Sequence, residues 1–145
     1  MACRCICIVL LVALMTVPAI AAGAGNDTII TLPRDVVWIR DTSKNGPHGS
    51  YYAYLRGKRG DDCDWLRINK FPSGYEYPMH VNHVYWLFTI LSGTLVLGFD
   101  PQHRKSGERF LPAGTIVQGL AEEPHYGRAI GETIFEIYAP CLKRL

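Results

Sequence analysis

The stretch GYEYPMHVNHVYWLFTILSG, residues 74–93, decides the fold class of this 145-residue chain. It places His80 and Asn82 two positions apart, ahead of an apolar and aromatic run that ends at Ser92-Gly93. Aromatic and β-branched residues between turn signals are typical of strands. Because residues two apart on a strand project to the same side, we expect His80 and Asn82 to share one face of a sheet.

Short apolar runs separated by turn signals continue along the chain in both directions. Glycine (14) and proline (9) are frequent, which suits turns between strands better than long helices. The turn signals recur about every 8–12 residues, the spacing of a sandwich or barrel. The sequence therefore predicts an all-β fold. Its strands are expected over residues 28–32, 36–39, 51–55, 65–71, 85–91, 94–99, 109–111, 115–117, 125–128 and 133–138.

Length and composition exclude several other classes of protein. A chain of 145 residues accommodates one domain of ordinary size. It is 48% hydrophobic and only 19% charged, so it has enough apolar material for a core and is not a disordered protein. The formal net charge of +2, with both signs scattered, gives no argument for a nucleic-acid partner. Neither a catalytic serine motif nor a glycine-rich phosphate loop occurs.

The N-terminal residues differ in composition from the rest of the chain. Arg4 precedes an apolar stretch over residues 5–17, which is shorter than the roughly 20 residues that a membrane-spanning helix needs. A small-residue cleavage motif ends at Ala21, and a second one ends at Ala24. These features predict a secretory signal peptide over residues 1–21. An uncleaved anchor that extends to Ala24 is the alternative.

Processing at this point defines the organisation of the mature protein. Residues 22–34 are then an N-terminal extension, and residues 35–145 form one domain that is secreted or periplasmic, with no stable membrane span after cleavage. Two cysteines remain, Cys63 and Cys141, in a compartment that permits disulfides. They either pair or stay two free buried thiols, and both alternatives are open because pairing depends on the distance between their Cα atoms.

Two groups of spaced residues resemble a known pair of motifs. Gly74, His80 and Gly93 match the spacing of Gly-x5-His-x-His-x3,4-Glu-x6-Gly, the first motif of the cupins, and Gly114 and His125 keep the spacing of the second. The resemblance, to small RmlC-like cupins, covers most of the mature chain. It implies a single cupin jelly-roll β-barrel and, because small cupins often dimerise, a homodimer.

The resemblance also implies a divalent metal site, which the family builds from two His and a Glu of the first motif and a His of the second. This sequence keeps His80 and His125 but has Asn82 and Trp86 where the second His and the Glu belong. Without the carboxylate, we expect zinc, manganese or iron to bind weakly or not at all. His83 adjoins Asn82, and a trio of His80, His83 and His125 stays open as an alternative.

The aromatic residues around these positions indicate a pocket for a small, mostly apolar ligand. We place Asn82, Trp86 and Tyr126 in that pocket. Two hypotheses of function follow. The favoured one is a small-ligand-binding or structural barrel with a degenerate metal site. The other is a metal-dependent enzyme, oxygenase- or isomerase-like, that uses His80, His125 and an atypical third ligand such as His83.

Overall fold

Eight antiparallel strands follow one turn of 3-10 helix in the described part of the chain, which in this computed structural model comprises residues 28–42, 49–102 and 107–141. They belong to one compact unit, Thr31–Leu145. The predicted signal peptide, residues 1–21, lies outside the described residues, and the boundaries at 22–34 and 35–145 stay predictions. No helix in the described ranges is long and apolar enough to cross a membrane. The elements are the 3-10 helix Pro33–Asp35, β1 Ile39–Arg40, β2 Tyr51–Arg56, β3 Trp65–Phe71, β4 Glu76–His80, β5 Trp86–Gly98, β6 Arg109–Pro112, β7 Ile116–Gly119 and β8 His125–Ala139.

Strands β5 and β8 are long enough to take part in both halves of the sheet. The first half of β5 pairs with β7 and with the second half of β8, which also pairs with β3. The second half of β5 pairs with β6 and with the first half of β8, which also pairs with β4. The long half of the sheet therefore has the order β1-β2-β3-β8-β5-β7, and the short half has β4-β8-β5-β6. This is the all-β, single jelly-roll barrel that the sequence predicts.

Two predicted turns are bends within continuous strands. The sequence predicts separate strands over 85–91 and 94–99, but β5 runs through Ser92-Gly93 with its pairing shifted there. The expected strands over 125–128 and 133–138 are likewise joined in β8. Gly93 (φ 77) and Gly131 (φ 72) have a left-handed backbone, which glycine adopts at little cost. Each strand thus passes from one half of the sheet to the other without ending.

The shift around Ser92 also changes which side chains of β5 point into the barrel. Before it, Trp86 and Phe88 belong to the buried core, and after it Leu95 and Leu97 do. A bulge adds one residue, so the inward positions change from even to odd numbers. Both halves of β5 therefore contribute to one apolar core. Its other members are Phe71, Tyr75, Ile90, Ala129, Phe135 and Ile137.

The N-terminal strands and β4 differ from the sequence prediction. Residues 28–32 form no strand, and Ile29 and Ile30 are 85% and 77% exposed, because no neighbouring strand in the described chain pairs with this run. Of the strand predicted over residues 36–39, only the last residue lies in an observed strand, the two-residue β1. The sequence did not predict strand β4, because the strand contains Pro78. It pairs with β8 alone among the described strands, and at such an edge the missing N–H of proline is tolerated.

A disulfide in the structure joins Cys63, in the loop before β3, to Cys141, two residues after β8. The two Cα atoms are 5.0 Å apart, and the residues are 78 positions apart in the sequence. Next to the bridge, the N–H of Asp64 donates a hydrogen bond to the carbonyl of Ala139 at 2.6 Å. In the loop-entropy model, closing a loop of this length stabilises the fold by about 4 kcal/mol. The bridge holds the end of β8 beside β3.

We predict that Gly93→Ala lowers the free energy of unfolding by about 3 kcal/mol, because the new methyl group would meet the backbone carbonyl of Glu132 on a left-handed backbone. Gly131→Ala is the matched control. Its φ is similar, but its methyl group meets nothing within 4 Å, so we expect a loss of about 1 kcal/mol. Denaturant unfolding of both variants measures the difference, and equal losses would show that close packing does not constrain Gly93.

Candidate functional site

Pairing of β4 with the first half of β8 brings two histidines together. His80 and His125 are opposed in the ladder, and their ring centroids are 4.4 Å apart with 55° between the planes. The register shifts between Tyr77 and His80, and such a bulge re-aims the side chain that follows it. His125 is only 4% exposed, whereas His80 lies at the exposed mouth of the barrel. The pair therefore reaches from solvent towards the core.

Backbone carbonyls determine the tautomer of both rings. Nδ1 of His80 lies 3.0 Å from the carbonyl oxygen of Pro78, and Nδ1 of His125 lies 2.9 Å from that of Glu123. A carbonyl oxygen only accepts hydrogen bonds, so both Nδ1 atoms carry a proton and donate it. In each neutral ring Nε2 then holds a lone pair. Histidines that ligate metals are oriented in the same way, and the same lone pairs accept a hydrogen bond from an organic ligand.

Burial keeps His125 in its neutral form. Loss of hydration disfavours the imidazolium and lowers the pKa of His125, and charge on His80 lowers it further. The hydrogen bond to the carbonyl of Glu123 and the carboxylate of Glu123 act in the opposite direction but do not reverse the shift. Near neutral pH, His125 therefore presents an acceptor nitrogen to its surroundings.

Asn82 and Trp86, the two departures from the cupin motif, both lie next to His125. The amide nitrogen of Asn82 is 3.4 Å from Nε2 of His125, to which it donates a long hydrogen bond. Trp86 is 1% exposed, and its ring centroid is 5.0 Å from that of His125. It stacks on Phe88 and packs against Gly119 so closely that a Cβ would not fit there. An apolar ring thus stands where the motif has a carboxylate.

His83 lies apart from the other two histidines. Its Nδ1 is 2.8 Å from Oε1 of Glu122, and its side chain is 80% exposed. The trio of His80, His83 and His125 is therefore not assembled, because His83 turns towards the loop between β7 and β8. Across residues 28–42, 49–102 and 107–141, no group of three or more His, Cys, Asp or Glu side chains is arranged to hold a metal ion.

Glu122, which was not selected from the sequence, lies beside the site and contacts both Asn82 and His83. Its φ of 63 lies in the left-handed region, which is unusual for a residue other than glycine. Its backbone N–H donates to the carbonyl of Asn82 at 2.8 Å, and its carboxylate binds His83. These two contacts offset the backbone strain. A signal was available, since Glu122 occupies a glycine position of the second cupin motif.

Tyr126 lies outside the cavity, contrary to the expectation from the sequence. Successive residues of a strand face opposite sides, so a barrel that has His125 inside directs Tyr126 outwards. There its ring is buried against Gly98, which leaves no space for a Cβ at that position. Of the three residues expected in the pocket, Asn82 and Trp86 do line it.

A cavity of about 590 Å³ extends from the histidines into the barrel. A space of this size accommodates a small organic molecule. Aromatic and aliphatic side chains share its walls with several polar groups, a combination that small-molecule sites use. The polar lining residues are His80, Asn82, His125, Asp41 and Arg67. The aromatic and aliphatic ones include Phe71, Tyr75, Tyr77, Trp86, Phe88, Leu95, Phe135 and Ile137.

Solved structures with the same architecture are known, although no family model and no curated protein matches the sequence. The chain is similar to the polyketide cyclase RemF from Streptomyces resistomycificus, with a TM-score of 0.64, 19% identity, and coverage of 82% of this chain and 83% of that one. It is also similar to an RmlC-like cupin from Shewanella frigidimarina, with a TM-score of 0.58, 13% identity, and coverage of 81% and 95%. KdgF from Halomonas sp. gives a TM-score of 0.56, 12% identity, and coverage of 78% and 94%.

These similarities show that the fold is the cupin jelly-roll barrel, and at such low identities they show the fold alone. A divalent metal, which the cupin resemblance implies, meets two suitably oriented imidazoles here. It also meets an amide and an indole in place of the other two ligands. Zinc sites use at least three strong protein ligands, so this donor set does not fit a tightly held metal. We therefore derive no reaction step through one.

We predict that the imidazole of His125 titrates below the ordinary histidine pKa of about 6.5, as measured by NMR. Because the folded protein binds this proton less readily than the unfolded chain, the associated stability is complete above about pH 6.5 and falls as the pH drops below it. His125→Asn should remove that part of the pH dependence, whereas His83→Asn, a change at the exposed histidine, should retain it. A His125 midpoint at or above 6.5 would contradict the burial argument.

Proposed function

We propose that this cupin barrel binds a small organic ligand. The apolar body of the ligand packs on the aromatic walls, and a hydroxyl or amine group donates to Nε2 of His80 or His125. The observation that carries the proposal is the pair of imidazoles on one wall of a cavity lined by aromatic residues, each with an Nε2 lone pair because its Nδ1 donates to a backbone carbonyl. A few convergent polar groups in such a cavity are what orient a ligand.

The weak hydrogen bond that Nε2 of His125 accepts favours ligand binding over a purely structural role. A buried acceptor costs free energy unless it is hydrogen-bonded, and the contact from Asn82 to Nε2 of His125 is long at 3.4 Å. A ligand hydroxyl would satisfy that nitrogen better. A barrel with only a structural role would also gain from filling its 590 Å³ interior with side chains.

We further propose that the protein acts outside the cytoplasm, secreted or periplasmic. The predicted signal peptide supports this location, and so does the disulfide between Cys63 and Cys141, since disulfides persist in oxidising compartments. The homodimer that the cupin resemblance implies stays a prediction.

Naphthol tests the proposed binding mode, because it joins an aromatic body to one hydrogen-bond donor. We expect it to quench the fluorescence of the cavity tryptophan, Trp86, on binding. His125→Ala should weaken binding about 10-fold, the effect of losing one good hydrogen bond and its packing. His83→Ala removes a histidine that lies outside the cavity and should leave the affinity unchanged. Equal affinity of the parent protein for naphthol and naphthalene would contradict the anchoring role of the histidines.

A metal-dependent enzyme is the second candidate function, and the tautomers of His80 and His125 favour it because both rings have the orientation of metal ligands. We predict that Asn82→His with Trp86→Glu raises affinity for zinc, manganese or iron at least 10-fold by restoring an imidazole and a carboxylate. Titration calorimetry measures this, with the same pair in a His125→Ala background as control. If the unmodified protein keeps a stoichiometric metal through dialysis against a chelator, the second function replaces the first.

A further inference from the structure

Arg67 is another polar residue that lines the cavity. It lies on the opposite half of the sheet from His80 and His125. It lies on the inner face of β3, where it opposes Ile137 of β8. Three aromatic rings surround its guanidinium. Its Cζ is 5.7 Å from the ring centroid of Tyr52, 6.0 Å from that of Tyr54 and 5.5 Å from that of Trp65. These rings fix the side chain against the cavity wall.

The charge of Arg67 has no counter-ion in the described part of the chain. No carboxylate there lies within 4.0 Å of its guanidinium, and its Nε is buried without a hydrogen-bond partner. Aromatic rings attract a cation through their quadrupole, but they leave its net charge in place. A partly buried cation of this kind is stabilised most by an anion that enters the cavity.

Two other buried N–H donors on the inner walls also lack a partner. They are Nδ2 of Asn69, which is two residues beyond Arg67 on the same face of β3, and Nε1 of Trp86, a cavity residue. A buried donor without an acceptor is costly, but Asn69 does not line the cavity and neither atom is accessible from it, so the need for a ligand rests on Arg67. On the long half of the sheet the guanidinium of Arg67 thus offers donors to the cavity, whereas the histidines offer acceptors.

Asp41 also lines the cavity and carries the opposite charge. Its backbone N–H donates to the carbonyl of Ser50 at 2.9 Å, and its carboxylate is not within ion-pair distance of Arg67. The two charges act in opposite directions on the hydroxyl of Tyr75, whose pKa is raised mainly by burial. An anionic ligand group is therefore favoured only on the Arg67 side of the cavity, which gives the ligand one orientation.

We infer that the ligand is a carboxylic acid with an aromatic or similarly apolar body. Its carboxylate accepts hydrogen bonds from the planar fork of Arg67, and its body packs on Phe71, Tyr75 and Phe135. A donor group at the other end of the ligand meets the histidines. The inference rests on the proposed function, because it assumes that the cavity binds a small organic molecule.

Matched pairs of acids and amides, which differ only in the charge of one group, test the inference. The probes are benzoate, naphthoate and biphenyl carboxylate, each compared with its neutral carboxamide by titration calorimetry at about pH 8, where histidine is uncharged. The parent protein should bind at least one acid about 10-fold more tightly than its amide, the effect of a charge-assisted hydrogen bond. Arg67→Met should remove this preference, because it weakens binding of the acid much more than binding of the amide.

Lys70→Met is the matched control on the opposite face of β3. Lys70 also lies over aromatic rings, 4.6 Å from the centroid of Trp38 and 5.3 Å from that of Tyr51, but it does not line the cavity. Its removal should leave the preference for acids intact. If Arg67→Met fails to fold, Arg67→Lys, which keeps the charge and loses the fork, should retain only part of the preference.

The outcomes separate this inference from the proposed function. If acid and amide bind equally to the parent protein, the carboxylate assignment is wrong and ligand binding by the cavity stands. A preference that survives in Arg67→Met would place the anion elsewhere and overturn the role of Arg67. If no acid and no amide of any size binds, both the inference and the proposed function are wrong.

Discussion

The pairing of β5 with β8 along their length is the interaction on which the rest of the structure depends. Both strands belong to both halves of the sheet, so they must bend together, and Gly93 and Gly131 supply the left-handed backbone for those bends. The site follows from the same pairing. Strand β4 has only β8 to pair with among the described strands, and that ladder sets His80 opposite His125. The relative position of the two histidines at the mouth of the barrel is thus set by the pairing of its longest strands.

Local chemistry in the sequence predicted much of this fold. The apolar periodicity gave β3 its observed bounds, Trp65–Phe71, and motif spacing placed His80 near His125. Period-2 alternation along β8 would also have excluded Tyr126 from the pocket, had it been applied there. The bend at Ser92-Gly93 could not be distinguished from a turn, because a glycine with positive φ serves both. The length of each strand depends on the strands with which it pairs, and these lie elsewhere in the chain.

The features of the site that could not be predicted from the sequence depend on contacts between segments that are far apart in the chain. His83 binds Glu122, 39 residues away, and no spacing rule links the two. Arg67 reaches the cavity because β3 pairs with the second half of β8, which depends on the whole topology. Trp86 illustrates the physical effect of such placement, because its indole gives this wall of the cavity an apolar surface that packs on His125 and Phe88.

The position of β8 in the chain has a consequence for the order in which this protein folds. It is the last of the described strands in chain order, and β3, β4 and β5 all pair with it. Neither half of the sheet closes until β8 is available, and folds dominated by such distant pairings form slowly. The segments before β8 therefore leave the ribosome before the barrel can close. For a protein that is exported, as we propose, that delay keeps the polypeptide extended enough to be threaded across a membrane.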